Sequence, residues 1–120
     1  MADVAITDSI LLSVKQLLGG LDPTYDSDFD VDLIIHINAS LSKLTQIGVG
    51  PESGFEITDD TETWNDFVGD DKRLNMIKRF VFQDVKYAFD PPRTSFALNA
   101  IKEQLQELIW RINVQVDPGD

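Results

Sequence analysis

Apolar residues recur at intervals of three and four along most of this chain, and glycine or proline interrupts each run. That spacing gathers the apolar side chains of a run on one face of an α-helix. No stretch alternates apolar and polar residues for long enough to build a sheet. The pattern therefore predicts an all-α fold, a small bundle of four main helices plus one short helix. The length suits a single domain over residues 1–120, with flexible termini at 1–6 and 114–120.

The first two helices are bounded by capping residues and glycines. The first is expected to follow Thr7 and Asp8 as possible N-caps and to stop at Gly19. An aspartate-rich loop then leads to the second helix, which begins at a cap provided by Asp28 or Asp30 and is the longer of the two.

A long loop should separate the second helix from the third. Residues 48–60 contain three glycines and a proline, too many for a helix, although 55–58 could form a brief extended piece. A short helix over 61–68, capped by Asp60 or Thr61, follows this loop.

The last two helices complete the bundle. One is expected from a cap at Asp70-Asp71 through Phe89, where Pro91-Pro92 must end it, and the other follows a cap at Thr94 or Ser95. The predicted core consists of apolar residues on the inward faces of these helices: Leu11, Val14, Leu18, Ile34, Ile37, Leu41, Leu44, Trp64, Phe67, Leu74, Ile77, Val81, Leu98, Ile101, Leu105, Leu108 and Ile112.

Charge is sorted along the chain. Residues 1–71 carry fifteen acids against two lysines, residues 72–93 have a net charge of +4, and the whole chain has −11. Such separation favours head-to-flank contacts between copies of the chain, or docking onto a charged partner, over a catalytic pocket. The candidate interface residues are the basic side chains of the positive segment: Lys72, Arg73, Lys78, Arg79, Lys86 and Arg93. A solvated helix face is the alternative interpretation of the same residues.

No pattern of catalytic or ligand-binding residues accompanies this charge. The alternation of aspartates from Asp26 to Asp32 lacks the glycine and glutamate that a calcium loop requires at its sixth and twelfth positions. His36 is the single histidine and there is no cysteine, so no common metal or nucleophile motif is complete. Gly48-Val49-Gly50 lacks the lysine of a phosphate-binding loop. We therefore expect no enzyme, no cofactor and no metal.

The composition also bears on location and on nucleic acid. No apolar stretch approaches the 18 residues of a membrane span, and the N-terminus lacks a signal peptide, so a soluble product of the cytosol is expected. A pI near 4.2 argues against coating nucleic acid, since phosphate binding needs a surplus of lysine and arginine.

Four strings of residues carry a resemblance to a known family. They are 48–55 (GVGPESGF), 63–71 (TWNDFVGDD), 85–92 (VKYAFDPP) and 109–113 (IWRIN). Together they resemble the head-tail connector (adaptor) proteins of long-tailed bacteriophages and their prophage relatives. The resemblance covers residues 8–117, nearly the whole chain.

The resemblance implies a structural virion protein at the neck, made in the host cytoplasm. Its copies, commonly twelve, would form a ring beneath the portal protein, extend the DNA channel and give stopper or tail-completion proteins a surface for attachment. DNA would pass through without sequence-specific binding, and no catalytic residue is implied. The assignment of the six basic residues to a contact with a neighbour or with the portal is inferred from the charge pattern alone.

Two other functions compete with this interpretation. An acidic decoy that imitates DNA would occupy a host enzyme, but its acids should be spaced regularly along helix faces, whereas here they cluster in loops and at helix starts. Another neck protein, a stopper or tail-completion protein, would more often be a small β-barrel, and the strands for one are missing from the pattern.

Overall fold

The computed structural model describes residues 8–18, 30–89 and 91–116. Within them the chain forms five helices and no strand, which confirms the predicted fold class. The helices are α1 (Ile10–Leu18), α2 (Asp30–Gln46), α3 (Trp64–Val68), α4 (Leu74–Phe89) and α5 (Ser95–Val116). The predicted termini at 1–6 and 117–120, and the loop with Asp26 and Asp28, lie outside the described residues.

Hydroxyl caps start three of the helices. The Ser9 hydroxyl accepts a hydrogen bond from the Leu12 amide, so Ser9 caps α1 in place of the predicted Thr7 or Asp8. Thr63 caps α3 in a capping box with Asp66, later than the predicted Asp60 or Thr61. Thr94, as predicted, caps α5, and it accepts a hydrogen bond from the Ala97 amide.

The predicted start of α4 and end of α5 need correction. Helix α4 begins at Leu74, three residues after Asp71. Asp71 caps the turn that precedes the helix, where its carboxylate accepts from the Arg73 amide and its carbonyl accepts from the Leu74 amide. Helix α5 continues through Val116, so the helix includes residues 114–116 of the segment expected to form the terminus.

Helix α4 lies at the centre of the fold and packs against α1, α2 and α5. Most of the predicted core is buried there: Leu11, Val14, Ile37, Leu41, Leu44, Trp64, Phe67, Ile77, Val81, Leu108 and Ile112. Four predicted core residues are half-buried at its margin: Leu18, Ile34, Leu74 and Leu105. Burial of a leucine or isoleucine contributes roughly 1.5–3 kcal/mol, so this cluster dominates the stability of the fold.

Leu98 and Ile101 are the predicted core residues that the structure does not place in the core. Both are only half-buried and lie outside the central cluster. The reason is that, among the described helices, α5 packs extensively on α4 alone, so its first turns have little to pack against. The core instead includes four further members of the same helical stripes, Ile10, Leu33, Phe80 and Val85.

Part of the long loop also belongs to the core. Val49 and Ile57 are buried, and the Asn38 side-chain amide both donates to the Ile57 carbonyl (3.0 Å) and accepts from the Ile57 amide (2.7 Å). Gly50 has a φ of +78°, and a Cβ there would lie 2.5 Å from the Phe67 ring. The predicted extended piece at 55–58 forms no strand, because these contacts are made to helices.

A buried carboxylate joins α2 to α4. Asp84 on α4 accepts hydrogen bonds from the Ser40 hydroxyl and, at 3.0 Å to each oxygen, from the Lys43 ammonium group. Asp84 is buried, whereas the Lys43 side chain is 56% exposed. The carboxylate is therefore satisfied from one side by a buried hydroxyl and from the other by a cation that reaches it from water.

Candidate interaction surface

The structure divides the six candidate basic residues into two groups. Lys72, Arg79, Lys86 and Arg93 are exposed, and within the described ranges none of them forms an ion pair. Arg79 and Lys86 are seven residues apart on α4, which places them on one face of the helix about two turns apart. These four residues are here termed the basic surface.

Arg73 does not belong to the basic surface. It lies in the turn before α4 and is buried, with its guanidinium group bonded through Nε (2.8 Å) and Nη2 to the two carboxylate oxygens of Asp71. Nη1 also reaches the Ile112 carbonyl at 3.4 Å. Arg73 therefore connects the turn before α4 to the end of α5. Its hydrogen bonds lower the pKa of Asp71 below the usual 3.8, and the positive charge acts in the same direction.

Lys78 is also set apart from the exposed group. Its side chain is half-buried, and its ammonium nitrogen lies 5.8 Å from the centroid of the Trp64 ring. This is a cation–π distance, and it holds the lysine against α3. Lys78 also lines an open pocket with Asp8, Asp70 and Asp71, so acids of its own chain surround it.

Helices α4 and α5 form a shallow groove beside Arg79. The other lining residues are Gln83, Gln104, Glu107, Leu108 and Arg111. Arg111 is paired with Glu107 at 2.7 Å one turn away on α5, and both side chains are more than half exposed. Arg79 has no such partner among the residues that the structure describes, so the groove has a positive wall that a carboxylate from outside the chain can approach.

Many acidic residues are engaged locally. The Glu62 carboxylate accepts from the Thr58 and Asp59 amides, and Asp59 accepts from both the hydroxyl and the amide of Thr61. Those hydrogen bonds, the one from the Thr61 hydroxyl above all, lower the pKa of Asp59. Asp30 pairs with the buried Lys15 at 2.8 Å. These acids fix turns and helix starts rather than forming a regular array.

Sequence reasoning missed a set of exposed apolar side chains. The large ones fall into two groups, which we name the α5 outer stripe and the α1–α2 patch. The α5 outer stripe consists of Phe96, Trp110 and Val114, and the α1–α2 patch consists of Leu17, Val31 and Ile35. The sequence pattern that could have revealed these side chains is the presence of apolar residues on two faces of α5, which is unusual for a helix with one face in water.

The described residues contain no group of three potential metal ligands. No helix among them is long and apolar enough to cross a membrane. His36 is half-buried, and the edge of its ring packs against Phe89 with centroids 6.4 Å apart. The surface features available for function are therefore a basic surface and two apolar areas, which suit contacts between proteins.

Comparison with known proteins gives one result. A family model described as "Phage connector protein" matches residues 10–119, which is most of the chain. No curated protein and no solved structure matches the chain.

Proposed function

This chain belongs to the phage connector protein family, and we propose that it is a head-tail connector whose copies form a ring under the portal protein. In this role the ring extends the DNA channel and offers its far side to a stopper or tail-completion protein. The family match over residues 10–119 is the observation that carries the proposal. Membership of the family makes the protein a structural component of the phage neck. The ring, the DNA channel and the partner proteins are our proposal.

The distribution of charge supports a repeated contact. Two residues of the basic surface, Arg79 and Lys86, share one face of α4, and the other two lie in the segments before and after that helix, while most acids precede residue 72. A ring needs two different surfaces on each copy, and opposite charges on those surfaces favour the correct orientation over others. Contacts of the basic surface with acids of a neighbour, or with the portal, meet that requirement.

The acidic surplus fits a channel through which DNA must move. At a net charge of −11 the chain cannot coat phosphates, and acids left facing the lumen would repel the DNA backbone. Lumen residues that proved basic in an assembled ring would contradict this part of the proposal.

The local engagement of the acids disfavours the decoy function. A DNA mimic needs its carboxylates free and regularly spaced, whereas Asp30, Asp59, Asp71 and Asp84 are held by donors of their own chain. The helical fold within the described ranges likewise gives no support to a β-barrel stopper.

The test is to mix the purified protein with purified portal rings and to image the complexes by electron microscopy. We expect a stoichiometric layer on one end of the portal. The double variant Arg79→Glu/Lys86→Glu should fold normally and lose most of the layer, because it reverses two exposed charges. The matched control is Arg79→Lys/Lys86→Arg, which keeps the charge and should keep the layer. Bare portal rings with the unmodified protein would overturn the proposed function.

A further inference from the structure

The two exposed apolar groups stand out against the rest of the surface. On α5, Phe96 is 86% exposed, Trp110 65% and Val114 50%. On α2, Val31 and Ile35 are 71% and 60% exposed, and Leu17 of α1 is 54% exposed. Large apolar side chains gathered at such exposure mark a surface that another protein covers.

Helix geometry aligns the α5 outer stripe. Trp110 and Val114 follow Phe96 by fourteen and eighteen residues, so at about 100° per residue all three point within ~40° of one direction. That direction is opposite to the buried side formed by Leu108 and Ile112. The stripe extends for roughly 27 Å along the axis. Helix α5 thus has one apolar side covered by α4 and a second side that its own chain leaves uncovered.

The α1–α2 patch consists of exposed apolar side chains on two helices that pack against each other. Val31 and Ile35 are one turn apart on the face of α2 that points away from the buried Leu33 and Ile37. The ion pair between Lys15 and Asp30 fastens α1 to α2 at the same end of α2. Since α5 packs extensively on α4 alone among the described helices, the stripe and the patch do not cover each other within one copy.

We propose that the α5 outer stripe of one copy packs on the α1–α2 patch of the next copy. Two different surfaces that meet in this way form a heterologous contact, which propagates from copy to copy and closes into a ring when the rotation allows. This inference rests on the proposed connector function, because it names the contact that would build that ring.

The size of the two surfaces fits one small interface between copies. Together they offer on the order of 700 Å² of apolar area, about the apolar share of a specific interface of ~1,200 Å² in total. A two-fold contact of the stripe with itself would bury a similar apolar area, but it would leave the α1–α2 patch uncovered. A contact between unlike surfaces therefore accounts for both groups with a single interface.

Charge at the margins agrees with this pairing. Lys102 flanks the stripe and is exposed without an ion pair in the described ranges, whereas the other flanking cation, Arg111, is paired with Glu107. Asp32 lies beside Val31 and is exposed, whereas Asp30 is paired with Lys15. Among the described residues, a cation without an ion pair therefore borders the stripe and an acid without one borders the patch. Glu103 and Glu107 lie on the same face as the stripe, so the apolar contact must dominate.

The absence of cysteine from the chain allows a direct test. Single-cysteine variants Ile35→Cys and Trp110→Cys are mixed at high protein concentration with a short bismaleimide cross-linker. We expect covalent dimers that contain one copy of each variant, and a ladder of oligomers from the double variant Ile35→Cys/Trp110→Cys. Ser53→Cys, an exposed loop position outside both surfaces, paired with Trp110→Cys is the control for random collision. Adding Val31→Ala to the Ile35→Cys variant and Val114→Ala to the Trp110→Cys variant should lower the yield about fivefold or more.

The outcomes separate this contact from the function on which it rests. Mixed dimers above the control level support the proposal. Dimers formed mainly by Trp110→Cys with itself would show a two-fold contact through α5 and overturn it, as would a yield equal to the control. A layer on the portal combined with either of those results leaves the connector function standing and removes only this contact. Mixed dimers without any layer on the portal would support the contact and remove the portal as partner.

Discussion

Helices α4 and α5 have similar apolar spacing but opposite surroundings. Three helices pack against α4, and the central part of its apolar stripe, formed by Ile77, Val81 and Val85, is fully buried. Helix α5 is longer, packs extensively only on α4 among the described helices, and leaves Phe96 and Trp110 in water. This comparison shows that an apolar stripe predicts a covered surface. It does not predict whether the same chain or another protein covers that surface. In α4 the stripe stabilises the fold, whereas α5 leaves three large apolar side chains in water, which we propose that assembly covers.

A matched pair of leucine truncations should produce the largest difference between the two regions. Leu41→Ala removes a fully buried side chain that lies between α2 and α4, and it should lower the free energy of unfolding by about 2–5 kcal/mol. Leu98→Ala in the first turns of α5 should cost less, about 1–2 kcal/mol, because Leu98 is partly exposed and lies outside the central cluster. Urea unfolding followed by circular dichroism gives both values. Equal costs would mean that α5 is part of the core after all.

Loss of the buried contact between α2 and α4 should destabilise the fold more than loss of any contact on the outside of α5. Asp84→Ala leaves the buried Ser40 hydroxyl without its acceptor and should lower the free energy of unfolding by about 1–3 kcal/mol. The charge on Lys43 adds little to this cost, since its side chain can turn into water. The exposed pair on α5 is the control, and Glu107→Gln should change stability by less than about 0.5 kcal/mol.

The same residues show which parts of the fold the sequence predicts. Helical spacing was sufficient for the fold class and for buried positions such as Ile37 and Leu108, because the core needs a continuous apolar face. It was wrong for Leu98 and Ile101, since spacing carries no information about which helix lies opposite. Burial of Val49 and Ile57 depends on how the loop folds back onto Asn38, a contact between positions nineteen residues apart.

The candidate surface was predictable only in part. The segregation of charge identified the positive segment, in which the structure leaves Arg79 and Lys86 exposed on one face of α4. Arg73 was assigned to the same face because α4 was predicted to begin too early; its burial follows from a contact with Asp71 and with the Ile112 carbonyl, which no local pattern encodes. The exposed stripe on α5 could have been found from the fourteen-residue spacing of Phe96 and Trp110.

The Arg73 contact that connects the start of α4 to the end of α5 should make stability depend on pH. The effect should be smaller than that of Asp84→Ala. Because Arg73 lowers the pKa of Asp71, the folded chain favours the ionised carboxylate more than the unfolded chain does. This contribution is complete above the ordinary value of 3.8 and is lost as the pH falls through the lower pKa of the folded state. Asp71→Asn should cost about 1 kcal/mol at neutral pH and progressively less below pH 4. Unfolding measured at several pH values checks this, and an unchanged difference at the lowest pH would contradict the assignment.

Hydrogen exchange on the free protein and on its layer bound to portal rings tests the central claim most directly, namely that α5 is the helix that assembly covers. In the free protein, amides of α4 should exchange slowly and those at both ends of α5 much faster, because the outer side of α5 is bare. In the bound layer, amides around Phe96 and from Trp110 to Val114 should become protected, together with those around Val31 and Ile35, while α4 stays unchanged. Slow exchange throughout α5 in the free protein, or new protection confined to residues outside both surfaces, would contradict the account.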